Sequence, residues 1–325
     1  MNDLIKVGII GGAGYVAGEL LRLLLNHPAV EIIFVNSEAH AGDAITDVHS
    51  GLYGETNLCF TDELPFDEVD VVFFCCNQGA TSQFIAEHYI PVDVRLIDLG
   101  QDFRLASDDN DYVYGLPELN ALQLQGAQHV ANPGSCATCI ELALLPLAAH
   151  NWLDGDLSVS AIIGATDTGA HPTATTHFSW RSGNLSLFKP FHHPHLPEIL
   201  QTLRKVQPSF DASLDFIPYR GDFPRGLFAT AVTRCEATEE EIVEAYRTYY
   251  DDASFTHYVD REIDLKQVIN TNKCLLHAEK HGEKVLITAV LDNLLKGAAG
   301  QAVQNMNLMF GLEETAGLRL KPLAF

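Results

Sequence analysis

The sequence is poor in positive charge, and it shows neither of the two segments that commonly direct a chain to or across a membrane. Its 325 residues include 20 Lys and Arg against 43 Asp and Glu, a formal net charge of −23. Nucleic acids and acidic membranes are bound by basic surfaces, so this balance excludes them as partners. No basic-then-apolar leader pattern opens the sequence, and no apolar run approaches the roughly 18 residues that span a bilayer. We therefore expect a cytoplasmic protein.

The cysteines show no disulfide pattern. There are seven of them, an odd number without paired spacing, which fits a reducing compartment. The close pairs are Cys75-Cys76 and Cys136-x-x-Cys139, and no second pair completes a zinc site, so we predict no metal. Hydrophobic residues make up 47% of the chain and charged residues 19%, as in ordinary globular proteins long enough for two domains.

The first forty residues carry the clearest fold signal. Leu4 to Ile10 is a continuous apolar run typical of a buried parallel strand, and a glycine-rich turn and an apolar helical pattern follow it. Such a turn lets the backbone approach a pyrophosphate closely, and the N-terminus of the following helix stabilises the negative charge of that group. The alternative is a turn that serves helix packing alone. The predicted cofactor contacts in this segment are Gly11, Gly12, Ala13, Gly14, Tyr15 and Val16.

The end of the next strand bears on the choice of cofactor. Glu31 to Val35 follows at the spacing of a βαβ unit and leads into Asn36-Ser37-Glu38. The Ser37 hydroxyl suits a ribose phosphate, which favours NADP, whereas the neighbouring Glu38 is the residue type that suits NAD. We predict NADP as the cofactor.

Strand-like runs continue at Val69 to Cys76 and at Val94 to Leu99, with helix-compatible segments between them. This alternation predicts a Rossmann-type, doubly wound parallel sheet, so the α/β class. Ligands bind such sheets at the carboxyl ends of the strands, which adds Asn77 and Gly79 to the predicted cofactor contacts. Further strand patterns after residue 150 predict a second, α+β domain. We assign residues 1–137 to the first domain, completed by a C-terminal helix within 294–325, and residues 138–293 to a catalytic and oligomerisation domain.

A thiol stands where an apolar helix begins. Cys136 lies in a turn before the helical run Ile140 to Leu147, and helix N-termini lower thiol pKa values and direct amides at a developing oxyanion. The alternative is a buried structural cysteine. His193 and His195, beside two prolines, are candidate general bases, or else residues of a solvated loop or a helix cap.

Two arginines stand in a predicted turn at Pro218 to Gly226, where Arg225 is the candidate anion ligand. Arginine forks suit phosphates and carboxylates, although an ordinary hairpin turn with exposed arginines explains the pattern equally well.

Several strings, in order along the whole chain, resemble the N-acetyl-γ-glutamyl-phosphate reductase family, relatives of aspartate-semialdehyde dehydrogenase. The matching segments are Gly11 to Leu20, Asp102 to Leu105, Tyr114 to Glu118, Asn132-Pro133-Gly134, His193 to Ile199, Pro224-Arg225-Gly226 and Asp292 to Gln304.

The resemblance implies an NADP-binding Rossmann domain, a homodimer or homotetramer, and reduction of a small acyl-phosphate substrate through a cysteine thioester. It also implies that Asn293 lies near the nicotinamide and that residues matching family positions bind substrate. The predicted substrate ligands are Arg104, Asn132, Gly169, Arg225 and Lys296.

The chain departs from the family pattern around the nucleophile. The family cysteine directly follows Asn-Pro-Gly, and here Ser135 holds that place with Cys136 one residue later. Because a serine ester is far harder to reduce than a thioester, we predict Cys136 as the nucleophile, with Ser135 beside it. The segment at the position of the family's substrate loop is Gly164 to His171. It contains Asp167, whose negative charge disfavours an anionic substrate.

Three functions remain open at this point. The chain is an acyl-phosphate reductase of arginine biosynthesis with an acetyl or succinyl substrate, a related oxidoreductase acting on another acyl phosphate or aldehyde, or a catalytically silent paralogue that binds NADP.

Overall fold

The computed structural model describes residues 4–323, which form two compact units. Unit 1 comprises residues 4–133 and 298–319, and unit 2 comprises residues 134–297 with the segment that starts at Leu320. The units therefore change over at residues 133 and 297, a few residues from the predicted limits of 137 and 294. Among residues 4–323, we find no helix with both the length and the apolar character that crossing a membrane requires.

Unit 1 is built on an all-parallel sheet with the order β2-β1-β3-β4-β6-β5. Its strands are β1 (Ile5–Ile10), β2 (Val30–Asn36), β3 (Val71–Phe74), β4 (Arg95–Asp98), β5 (Val113–Tyr114) and β6 (His129–Ala131). Its helices are α1 (Tyr15–Leu24), α2 (Ile45–Val48), α3 (Ala80–Glu87), α4 (Pro117–Leu124) and, near the end of the chain, α9 (Gly300–Met309). Strand β3 is fully buried, as its unbroken apolar sequence predicts.

The strand order reverses direction at β1, because β2 pairs with one of its edges and β3 with the other. Ligands bind open parallel sheets at the carboxyl ends of the strands beside such a point. The glycine-rich turn follows β1 directly, and helix α9 packs against α1 and α4 within the same unit. This arrangement confirms the predicted Rossmann-type sheet.

Unit 2 contains a mixed sheet with the order β11-β12-β13-β10-β7-β9-β8. Its strands are β7 (Leu157–Ile163), β8 (Ser186–Leu187), β9 (Leu214–Arg220), β10 (Leu227–Arg234), β11 (Thr256–Tyr258), β12 (Cys274–His281) and β13 (Lys284–Leu291). Its helices are α5 (Ser135–Ala149), α6 (Phe178–Arg181), α7 (Leu196–Val206) and α8 (Glu239–Tyr249), and a π-helical turn (Leu295–Ala299) follows β13. The mixed sheet confirms the predicted second domain.

Helix α5 is the central helix of unit 2. It packs against α7, α8, β10 and β13, and every residue from Ser135 to Ala148 is buried. Such enclosure explains its sequence, because a helix that is buried all round carries apolar residues on every side. Cysteine and serine at its first turn therefore lie in the interior of unit 2.

A proline inside α5 leaves one carbonyl without its usual helical donor. Pro146 has no N–H, so it cannot bond the carbonyl oxygen of Leu142, four residues earlier. The hydroxyl of Tyr250, just after α8, donates to that oxygen at 2.6 Å. Tyr246 donates likewise to the carbonyl of Ala143. The end of α8 and the residue after it therefore supply two hydroxyl donors to α5.

Candidate active site

Helix α5 begins at Ser135, five residues before the predicted start of its apolar run. Gly134 is its N-cap, with extended backbone (φ −70°, ψ 150°), and the amide of Thr138 bonds the Gly134 carbonyl at 2.8 Å. Ser135 and Cys136 are thus the first and second helical residues. The amides of a helical first turn have no partner within the helix and point outward, which makes them donors for an anion.

Cys136 lies against the two histidines that the sequence singled out. Its Sγ and one ring nitrogen each of His193 and His195 are all within 4.8 Å of one another. The three residues are buried, at 0%, 3% and 9% exposure respectively. The histidine rings are nearly perpendicular (83°), with centroids 4.7 Å apart. The structure therefore brings together a thiol and two imidazoles predicted separately from distant segments.

Burial sets the charge state of this cluster. It raises the pKa of the Cys136 thiol, and the negative charges of Asp167 and Glu198 raise that pKa further. Burial also lowers the pKa of His193 to about 3, and the neighbouring His195 lowers it as well. At neutral pH the cluster holds a thiol and a neutral His193. The lowered thiol pKa expected from the helix N-terminus alone is wrong, because desolvation outweighs the helix dipole here.

A neutral imidazole beside a thiol is a proton acceptor. Proton transfer from Cys136 to a histidine makes the thiolate at the moment of attack, without a resting thiolate. The main-chain amide of His195 donates to Nδ1 of His193 at 3.2 Å, which orients that ring and places the proton of its neutral form on Nε2. His193 therefore takes the thiol proton only by giving up this bond.

Two carboxylates contact the first turn of α5. Ser135 Oγ donates to Asp167 Oδ1 at 2.9 Å, and the amide of Gly134 donates to Glu198 Oε2 at 3.0 Å. Negative charge at a helix N-terminus is favourable. The sequence did not predict a role for Glu198. The one feature that could have indicated this contact is its position three residues after His195, within the matching segment His193 to Ile199.

Ser135 is close-packed as well as hydrogen-bonded. It is 8% exposed, and a Cβ built at Gly297 would lie 2.9 Å from the Ser135 Cβ. Only glycine at position 297 leaves room for this turn. Lys296, a predicted substrate ligand, is fully buried beside this glycine.

Arg225, the candidate anion ligand, is held by a buried aspartate. Its Nη2 lies 3.1 Å from both carboxylate oxygens of Asp292, which is fully buried and also accepts the amides of Asn270 and Leu294. Because this buried carboxylate also accepts two main-chain amides, it is itself held in place and fixes the position of the guanidinium. Asp292, the first residue of the last matching segment, therefore holds both Arg225 and the main chain that follows β13.

The predicted cofactor residue Asn293 makes its hydrogen bonds within unit 2. Its Oδ1 accepts the amide of Gly226 at 2.7 Å, and its Nδ2 donates to Thr166 Oγ1 at 3.0 Å. It thereby ties the arginine turn to the loop after β7. In that loop, Gly169 has φ 77°, a conformation that favours glycine.

Two predicted substrate ligands of unit 1 are tied to its backbone. The Arg104 guanidinium donates to the carbonyls of Asn132 and Leu99, at 2.9 and 3.0 Å, and is 8% exposed. Asn132 donates to the Ala298 carbonyl and accepts from Asn305. Both side chains therefore shape the chain that leads towards Gly134.

The glycine-rich turn fits a dinucleotide. Gly11 has φ 78°, and a Cβ there would lie 2.8 Å from the Cys75 carbonyl oxygen. A Cβ at Gly12 would lie 2.4 Å from Val35 Cγ1. At Gly14, the N-cap of α1, a Cβ would meet nothing within 4 Å. The turn is thus closely packed on its inner side and open at the helix N-terminus, where a pyrophosphate binds. Ala13, Tyr15 and Val16 belong to the same turn and first helical residues.

Other predicted cofactor residues end neighbouring strands of the same sheet. Ser37 follows β2 and is half-buried, whereas Glu38 is exposed. Asn77 and Gly79 are exposed after β3. Asp102 begins one of the matching segments but had no predicted role of its own. It caps α3 by accepting the amides of Gly79 and Ser82, at 2.6 and 3.0 Å.

Comparison with known proteins agrees with the fold. Residues 6–127 match the model of the semialdehyde dehydrogenase NAD-binding domain, and residues 136–293 match that of the semialdehyde dehydrogenase dimerisation domain. Among solved structures, aspartate semialdehyde dehydrogenase II from Vibrio cholerae is similar in fold, with a TM-score of 0.74 at 16% identity over 95% of this chain and 99% of that one. An aspartate semialdehyde dehydrogenase from Candida albicans, solved with NADP, gives a TM-score of 0.71 at 14% identity, over 95% and 99% of the two chains.

Curated relatives are much closer in sequence. The N-acetyl-γ-glutamyl-phosphate reductases of Phocaeicola vulgatus and Bacteroides thetaiotaomicron are each 62% identical over 322 residues, covering 99% of this chain and 100% of theirs. That of Christiangramia forsetii is 49% identical over 98% of this chain and 99% of its own. These matches confirm the resemblance drawn from the motifs. The chain belongs to the N-acetyl-γ-glutamyl-phosphate reductase family, within the NAD(P)-dependent semialdehyde dehydrogenases.

Proposed function

We propose that this chain reduces an N-acyl-γ-glutamyl phosphate, with an acetyl or succinyl group, to the semialdehyde and phosphate in arginine biosynthesis. Cys136 is the nucleophile and NADPH the reductant. The observation that carries this proposal is the buried cluster at the start of α5, where the thiol and two histidine nitrogens lie within 4.8 Å of one another. Close relatives that bear the reductase name give the reaction class.

The first half of the reaction forms a thioester. Sγ of Cys136 passes its proton to His193 or His195 and attacks the acyl carbon, so a C–S bond forms. Outward-pointing amides in the first turn of α5 stabilise the oxyanion. The C–O bond to phosphate then breaks, and phosphate leaves with the bonding pair.

The second half releases the aldehyde. When bound, NADPH supplies a hydride to the thioester carbon. The imidazolium formed in the first half protonates the resulting oxygen, and the same histidine accepts that proton again as the C–S bond breaks and the aldehyde forms. Cys136 leaves as thiolate and recovers its proton. Arg225, held by Asp292, is the anion ligand that we assign to the substrate.

Ser135 supports the fold of the turn in this proposal. Its hydroxyl is engaged with Asp167 at 2.9 Å, and an ester at this position would resist hydride reduction. The exposed charge of Asp167 works against an anionic substrate, and this favours the second candidate function, reduction of a less anionic acyl phosphate or aldehyde.

One assay separates these functions. We would follow phosphate-dependent reduction of NADP with the semialdehydes of N-acetylglutamate and N-succinylglutamate, and with aspartate semialdehyde as the alternative. Turnover with an N-acylglutamate semialdehyde, lost in Cys136→Ala and kept in Ser135→Ala and in the buried control Cys139→Ala, is the expected result. Turnover with another semialdehyde alone supports the second function, and NADP binding without any turnover identifies a silent paralogue.

The proposal includes a homodimer formed through the sheet of unit 2. Helices α5, α7 and α8 pack on that sheet, and residues alternate between buried and half-buried along its strands. The half-buried set includes Ile162, Val232 and Leu286, of which Val232 and Leu286 pair directly across β10 and β13. The match to a dimerisation domain supports this face as the contact. Light scattering should show a dimer that Val232→Asp dissociates, while Leu122→Asp, at an exposed site in unit 1, leaves it intact.

A cytoplasmic location completes the proposal. All seven cysteines are free thiols, in keeping with a reducing compartment.

A further inference from the structure

We propose that Cys136, His193 and His195 form a binding site for one Zn²⁺ ion per chain, and that the bound ion inhibits the enzyme. The inhibitory part rests on the proposed function, whereas the binding part does not. The sequence pointed away from a metal because no second cysteine pair accompanies Cys136-x-x-Cys139. The ligand set seen in the structure instead joins one of these cysteines to two histidines from the segment before α7.

The donor set suits zinc. One thiolate and two imidazoles are ligands that Zn²⁺ prefers, and three protein ligands leave a fourth tetrahedral position for water. Hard cations such as Mg²⁺ and Ca²⁺ prefer oxygen donors, so this set disfavours them.

The geometry needs a modest adjustment. Ligand atoms around tetrahedral zinc are about 3.5 Å apart. The three donor atoms lie within 4.8 Å of one another, so each pair must close by roughly 1.3 Å at most. The perpendicular histidine rings approach from different directions, as neighbouring tetrahedral ligands do.

Coordination by His193 replaces a hydrogen bond of its ring. Nδ1 of His193 accepts the amide of His195 at 3.2 Å. If zinc binds Nδ1, it takes the lone pair that accepts this hydrogen bond. If zinc binds Nε2, the proton of the neutral ring moves to Nδ1, which then can no longer accept. Either mode of coordination therefore breaks this rather long hydrogen bond. The ring also lies edge-on to Phe188 and Phe216.

The surrounding charges favour a cation. Asp167 and Glu198 place negative charge near the Cys136 sulfur, and these carboxylates are themselves fixed by hydrogen bonds to Ser135 and Gly134. The negative charge that disfavours a bare thiolate at this place favours a divalent cation there. Fixed groups of this kind orient and tune metal ligands.

A metal held here stops the proposed chemistry. The electron pair that Cys136 uses to attack the acyl carbon is then the pair that binds zinc, and the histidine that binds zinc cannot accept the thiol proton. Zinc and acyl substrate therefore compete for Cys136.

Binding is tested on the reduced, chelator-treated full chain. Equilibrium dialysis should give one Zn²⁺ per chain, and Co²⁺ in its place should show a thiolate-to-metal charge-transfer band with the intense visible bands of tetrahedral cobalt. Cys136→Ser should abolish the charge-transfer band, and His195→Ala should weaken zinc binding at least ~100-fold, more than loss of a supporting group does.

Matched controls are a buried cysteine and an exposed histidine from the same segments. Cys139→Ser and His192→Ala should bind Zn²⁺ as the native chain does. The site is refuted if the native chain shows no saturable binding, or if the charge-transfer band survives Cys136→Ser.

Turnover tests the inhibitory part separately. Zinc should inhibit the native enzyme and a chelator should restore it, and tight binding without inhibition contradicts this part. If the chain shows no turnover with any of the semialdehydes, the proposed function fails, and the cobalt spectrum still decides whether the metal site exists.

Discussion

The contact between Tyr250 and helix α5 allows a quantitative prediction about the element that carries Cys136. Tyr250→Phe removes the donor at 2.6 Å from the Leu142 carbonyl, the oxygen that Pro146 leaves without a helical partner. An orphaned buried acceptor costs about 1–3 kcal/mol. Tyr250 is 4% exposed, so water cannot replace its hydroxyl without rearrangement. We expect the free energy of unfolding of unit 2 to fall by that amount.

The cause can be isolated by a double-mutant cycle. Pro146→Ala restores an amide four residues after Leu142, so in that background Tyr250→Phe should cost only about 0.5–1.5 kcal/mol, the net value of an ordinary hydrogen bond. The two substitutions should therefore couple by roughly 1 kcal/mol.

Tryptophan fluorescence in a urea titration is the assay, because both tryptophans, Trp152 and Trp180, belong to unit 2. It reports on this unit even if the two units unfold separately. Tyr89→Phe, at an 82% exposed residue of unit 1, is the control and should change nothing. Equal costs of Tyr250→Phe with and without Pro146 would refute the reasoning.

Three further predictions concern the cofactor turn, the histidine cluster and the arginine. Gly14→Ala should leave stability nearly unchanged, because its Cβ meets nothing within 4 Å, yet weaken NADP binding in a fluorescence titration; unchanged affinity would contradict the pyrophosphate assignment. The pKa of His193 is about 3 in the folded chain and about 6.5 in the unfolded chain. As pH falls from about 6.5 towards 3, His193 is therefore protonated in the unfolded chain but not in the folded one, and the free energy of unfolding should decrease. His193→Gln should flatten that dependence of the urea midpoint and His192→Gln should not; equal slopes would be evidence against a buried neutral imidazole. Asp292→Ala should destabilise unit 2 by about 3 kcal/mol, since it leaves Arg225 without its buried partner, and a urea midpoint equal to that of the native chain would disprove the role of this pair.

Local patterns in the sequence predicted the fold well. The predicted strands Leu4 to Ile10 and Glu31 to Val35 agree with β1 and β2 to within one residue at each end. The glycine turn between β1 and α1 marked the Rossmann unit. Helix α5 starts earlier than predicted, because its first turn of small and polar residues carries no apolar periodicity. The predicted final helix opens with a π-helical turn at Leu295–Ala299, which apolar spacing does not distinguish from an α-helix.

The chemical environment of the site could not be predicted in the same way. Helix position alone predicted a lowered pKa for Cys136, and only the tertiary structure shows that burial and Asp167 raise it. The bond between Gly134 and Glu198 joins segments far apart in sequence, as does the approach of the two histidines to Cys136. Such contacts depend on how α7 packs on α5, which no local pattern encodes.

Trapping the acyl-enzyme tests the central claim most directly. The chain would be mixed with NADP and an N-acylglutamate semialdehyde in the absence of phosphate, so that oxidation stops at the acyl-enzyme, and then digested for mass spectrometry. The account predicts an acyl group on Cys136 that neutral hydroxylamine removes and that forms equally in Ser135→Ala. An acyl group on Ser135, or one that still forms in Cys136→Ala, would contradict it.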